Sequence, residues 1–76
     1  MFNFDEDRLF TQMGLWVDGL ASTGDFKDDV QGLTQAVWDN LLEEYKSRFP
    51  EDVEEIEHHD ITIREMIYEA AREALN

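Results

Sequence analysis

Phe26, Val30, Leu33, Val37, Leu41 and Tyr45 follow one another at intervals of three and four residues. That spacing puts side chains on one face of an α-helix. Trp38, Leu42 and Phe49 widen the stripe in its second half. One neighbour cannot cover so broad a face, so the pattern predicts a central helix over roughly 26–48 with a partner on each side. Asp25 stands where an N-cap belongs, Lys46 and Arg48 suit the C-terminal dipole, and Pro50 stops the helix.

Two further stripes supply the neighbours. Leu9, Met13, Trp16 and Leu20 recur at helical spacing, with Phe10 and Val17 beside them, and predict a first helix over roughly 5–20. Its acidic first turn, Asp5 to Asp7, suits the macrodipole, and the Ala21-Ser22-Thr23-Gly24 run breaks it. Ile63, Met66, Ile67, Ala70 and Ala74 mark the inner face of a last helix running to about 75. Its start is signalled by the capping-box spacing of Thr62 and Glu65, with Ile61 and Met66 as a hydrophobic staple. Residues 51–57 suit one or two helical turns, with Val53 and Ile56 facing inward. The fold class is therefore all-α: a small bundle of three principal helices plus one short linker helix, forming a single acidic helical domain over 1–76. The expected core is Leu9, Met13, Trp16, Val30, Leu33, Val37, Leu41, Tyr45, Ile63, Ile67 and Ala70.

A chain of 76 residues buries only about 60% of its unfolded surface, and without cysteine it has no disulfide or thiolate metal site to reinforce it. Packing or homodimerisation must hold it together. The N-terminal MFNFDEDRLF carries acids where a signal peptide needs bases, and no apolar run approaches about 18 residues. The expected setting is soluble and cytoplasmic.

Recognisable catalytic chemistry is missing from the sequence. There is no glycine-rich phosphate loop. Ser22 and Ser47 are the only serines, and neither sits in a nucleophile elbow. An EF-hand started at Asp25 would place Val30 where the loop needs glycine. His58-His59-Asp60 is the one cluster of metal-ligand character, but adjacent histidines point in different directions, so it reads as a surface connector. No enzyme activity, no metal and no cofactor are expected.

The stretch from Gly24 to Ile67 resembles acyl carrier proteins, which are also small, acidic and helical. Phe26-Lys27-Asp28-Asp29-Val30 is similar to that family's run before its second helix. Glu43-Glu44-Tyr45 and Phe49-Pro50-Glu51-Asp52 are similar to the end of that helix and the turn after it. The resemblance implies a helix arrangement only. The family attaches its prosthetic group to the serine of an Asp-Ser-Leu motif, where this chain has Gln31-Gly32-Leu33 and no hydroxyl.

Charge remains. Nineteen Asp and Glu stand against six Lys and Arg, a formal net charge of -13. Nucleic acid and anionic membranes repel such a chain, and basic surfaces attract it. Solubility, adaptation to high salt and a solvated face yield the same composition. Position adds information. Asp25, Asp28, Asp29, Asp39 and Glu43 are expected opposite the apolar stripe of the central helix. Glu54 and Glu55 lie in the linker, and Glu65, Glu69 and Glu73 form an i, i+4 ladder. Like charges at that spacing cost roughly 0.2–0.5 kcal/mol per pair. These features predict a partner-binding face of Asp28, Asp39, Glu43, Glu54, Glu55, Glu65, Glu69 and Glu73. It would imitate the charge of nucleic acid and occupy the basic surface of a nucleic-acid-binding protein or complex. Anti-restriction and anti-CRISPR inhibitors of phages and mobile elements are similar in style. The alternative is an interaction module (antitoxin, immunity protein or subunit adaptor) that binds through apolar residues such as Leu15, Tyr68 and Leu75. Phe2 and Phe4 are expected to fold back over the ends of the core.

Overall fold

The computed structural model describes residues 4–76, and these contain four α-helices and no strand. α1 spans Glu6–Ala21, α2 Val30–Arg48, α3 Val53–His58 and α4 Asp60–Ala74, with a 3₁₀ turn at Pro50–Asp52. α2 packs against α1 and α4, which also touch each other, and α3 closes on α2 and α4. The broad stripe of the central helix is thus covered from two sides.

Each long helix contributes a row of residues one turn apart. Leu9, Met13 and Val17 come from α1, Leu33, Val37, Leu41 and Tyr45 from α2, and Ile63, Ile67 and Ala71 from α4, all buried. Trp38 and Ile56 complete the core. Trp16, Val30 and Ala70, expected inside, only pack against its edge. Val17 and Ala71 take the inner positions because they continue the four-residue rows, and Ala74 is exposed. Phe4 packs against the core as expected, whereas Phe2 lies outside the described residues.

The helix starts differ from the sequence reading in two places. α2 begins four residues later than expected. Asp28 adopts φ 62, a left-handed conformation that interrupts a helix, and Asp29 is the N-cap in place of Asp25. The Asp29 carboxylate accepts the Gly32 N–H at 2.9 Å. A Cβ at position 32 would run into that carboxylate, so the cap and the glycine belong together. α4 begins at Asp60, inside the expected connector. A single residue, His59, separates it from α3, and the His59 N–H still donates to Glu55 and Ile56 carbonyls. Thr62 therefore lies within the first turn, no side chain caps that helix, and Ile61 is 71% exposed with no staple to form. Ile56 is fully buried and holds α3 against the bundle.

Candidate functional site

The described residues have no buried charged or polar side chain apart from the hydroxyl of Tyr45, so the polar chemistry lies on the surface. Asp39 and Glu43 are exposed one turn apart on α2, on the side away from Leu33, Val37 and Leu41. Glu65, Glu69 and Glu73 are exposed on α4, opposite Ile63, Ile67 and Ala71. Glu54 is exposed on α3, and Glu55 is half-buried. Asp28 is exposed but precedes α2, so it does not belong to the α2 row as the sequence reading had it. α2 and α4 meet through the faces opposite their carboxylates, which places the two rows on outward faces of different helices.

The basic residues are arranged differently. Arg8 stacks on the Phe49 ring at 4.0 Å and approaches Asp52 at 3.6 Å. Arg48 bonds Glu44 at 3.0 Å, Arg64 lies 5.0 Å above the Trp38 ring, and Arg72 bonds Glu69 at 2.6 Å. Arg64, which has no partner on its own helix, thus finds one on α2. Asp39 accepts the Gln35 amide at 2.9 Å, and Glu55 approaches His59 Nε2 at 3.2 Å. No ion pair engages Asp28, Glu43, Glu54, Glu65 or Glu73 among the described residues.

The histidine pair is a junction. His58 ends α3 and His59 joins it to α4, their rings meeting edge-on at 5.1 Å. Among the described residues no group of three His, Cys, Asp or Glu could hold a metal ion, and no helix is long and apolar enough to cross a membrane.

A groove of about 450 Å³ between α1 and α2 is lined by Gln12, Leu15, Trp16, Gly19, Leu20 and Glu44. Its polar wall is well fixed. The Trp16 indole N–H donates to Glu44 at 2.8 Å, and the Gln12 amide lies against the same carboxylate, to which its nitrogen donates once the amide is turned over. Arg48 supplies a further donor. The sequence reading placed Trp16 in the core, took Gly19 only as a residue that weakens the first helix, and gave Glu44 and Gln12 no role in a site. The available signal was the indole N–H, which needs a partner when its ring is partly buried.

Tyr45 is a separate case. Its side chain is fully buried, packs on Phe49 with ring centroids 5.1 Å apart, and leaves its hydroxyl without a hydrogen-bond partner among the described residues. Burial pushes its pKa up to about 12. Arg8 opposes the rise, and the Asp52, Glu44 and Asp5 carboxylates add to it.

No family model, curated protein or solved structure matches the chain. The similarity to acyl carrier proteins therefore stands on residue types alone, and the hydroxyl that carrier chemistry requires is missing at Gln31-Gly32-Leu33.

Proposed function

We propose that this chain is an acidic binding protein that occupies the basic surface of a nucleic-acid-handling protein, an inhibitor of the anti-restriction or anti-CRISPR type. The separation of its charges carries the reading. Arg8, Arg48, Arg64 and Arg72 are engaged within the chain. Asp28, Glu43, Glu54, Glu65 and Glu73 stand exposed, with no ion pair among the described residues. Thirteen net negative charges over a longest dimension of 34 Å amount to one per roughly 2.6 Å, against about 1.7 Å along duplex DNA. A basic groove meets a negative field here, and binding should weaken as salt screens it.

The test is affinity capture from lysate at low and at moderate salt, with Glu65→Lys/Glu73→Lys and Asp39→Lys/Glu43→Lys as variants. A nucleic-acid-handling protein retained at low salt, released at moderate salt and lost with either variant is the expected outcome. Retention that ignores both salt and charge reversal refutes the proposal. It would favour the second reading, an interaction module, for which the 61% exposure of Leu15 at the groove is the supporting observation.

A further inference from the structure

The geometry points to the α1–α2 groove as the docking site for an amphipathic basic helix of the partner, with apolar anchors in the groove and Lys or Arg at its rim. This inference rests on the proposed function and adds to it the element that the partner inserts.

Four observations support it. Gln12, Leu15, Trp16, Gly19 and Leu20 are wall residues at positions i, i+3, i+4, i+7 and i+8 of α1. They cover about 12 Å of helix axis, matching two turns of a helix laid alongside. Leu15 is 61% exposed, an apolar side chain that the chain itself leaves uncovered. Gly19 is the third. It sits within α1 although glycine is a poor helix residue, and nothing lies within 4 Å of where its Cβ would be. Internal packing therefore does not require a glycine there, whereas a second helix axis at 8–10 Å does favour one.

Charge selects the occupant. Glu44 forms one wall and is already paired with Arg48, so the attraction comes from the chain's net charge of -13 and not from a free carboxylate in the groove. A second copy would bring another net charge of -13 against the first. A helix with cations flanking its apolar anchors meets attraction instead. Trp16, held by its N–H to Glu44, also offers an aromatic ring for cation contact.

The experiment titrates the labelled protein with the helical peptide LKKLLKLLKKLLKL, with its Leu/Glu counterpart and with hexalysine, at physiological salt. Readouts are the Trp16 indole N–H and Leu15 methyl resonances. The Leu/Lys peptide is expected to shift both and to bind at least tenfold more tightly than hexalysine. Gly19→Ala and Leu15→Ser should each weaken it about tenfold. Gly14→Ala, equally open but outside the groove, should leave binding unchanged. Thermal melts accompany each variant, and both alanine variants should melt higher. If Gly19→Ala lowers the melting temperature, Leu15→Ser alone decides. Equal binding of hexalysine and the Leu/Lys peptide, without shifts at Trp16 and Leu15, overturns the groove and leaves the acidic-surface reading standing. No binding of any peptide overturns both. Equal binding of the Leu/Glu peptide overturns the charge argument. Self-association in sedimentation that Leu15→Ser abolishes would make the occupant a second copy and overturn the inference.

Discussion

Tyr45→Phe removes one atom, and the structure gives its expected effect a sign. The hydroxyl is buried without a partner among the described residues, and a hydroxyl desolvated in that way costs roughly 1–3 kcal/mol in proteins. Phenylalanine keeps the ring against Phe49 and opens no cavity. The variant should therefore be more stable by about 1 kcal/mol or more, raising the melting temperature by roughly 4–8 °C per kcal/mol for a domain of this size. Alkali adds a second signature. In the folded chain the phenol pKa is raised from 10.0 to about 12, so folding favours the protonated form. The associated stability is fully present below pH 10 and is lost as pH rises towards 12, at about 1.4 kcal/mol per pH unit. Thermal denaturation followed by circular dichroism from pH 8 to 12, for both proteins, is the assay. All other side chains are common to the two proteins, so the difference isolates Tyr45. The two curves should run parallel below pH 10 and diverge above it, with the variant the more stable throughout. A variant less stable at neutral pH would mean that the hydroxyl has a partner, such as a buried water. Parallel curves up to pH 12 would refute the burial argument.

Three further outcomes follow from the local geometry. Asp29→Ala removes the cap on Gly32 and should cost about 1 kcal/mol in urea denaturation, whereas Thr62→Ala, which caps nothing, should stay within about 0.5 kcal/mol. Glu65→Lys/Glu73→Lys should raise stability by a few tenths of a kcal/mol, since each new lysine faces Glu69 at i, i+4; a melting temperature that falls would contradict the exposed positions of that ladder. Arg64→Ala uncovers the Trp38 ring and should cost roughly 0.5–1 kcal/mol. It should also shift Trp38 emission to the red in a Trp16→Phe background, and unchanged emission would remove the stacking from the account.

The helical rows were legible because their period is a property of single helices. The three long stripes, the central role of α2 and eight of the residues expected in the core need only a neighbour, not a particular neighbour. What failed were statements about ends. Asp25 and Asp29 are equally good caps by residue type, and the choice between them turned on Asp28 entering the left-handed region and on Gly32 making space. Thr62 and Glu65 have the correct spacing for a capping box, yet α3 ends within one residue of α4, which places Thr62 inside the helix. The site was legible to a similar depth. The outward direction of Asp39, Glu43, Glu65, Glu69 and Glu73 follows from period alone. The link between Trp16, Gln12 and Glu44 crosses two helices, and no spacing within either of them announces it.

Small helical domains have little stability in reserve, which makes residues that weaken the fold informative where nothing internal requires them. Gly24 adopts φ 82 and so fits the turn after α1. Gly32 leaves space for the Asp29 carboxylate that caps it. Nothing in the structure explains Gly14. Gly19 and the Glu65–Glu69–Glu73 ladder differ from these, because each weakens the isolated chain while shaping a surface. The ladder sets two like-charge pairs on one exposed face, offset only by Arg72 at Glu69. Gly19 lowers the wall of an apolar groove between α1 and α2. Local rules are broken most often at functional sites, and a partner that is both basic and apolar would account for both departures. The argument predicts opposite signs for stability and binding at the same positions: Gly19→Ala and Glu65→Lys/Glu73→Lys should each strengthen the fold and weaken the complex. Variants that strengthen the fold without weakening any complex would return both features to mere tolerance of imperfect helices.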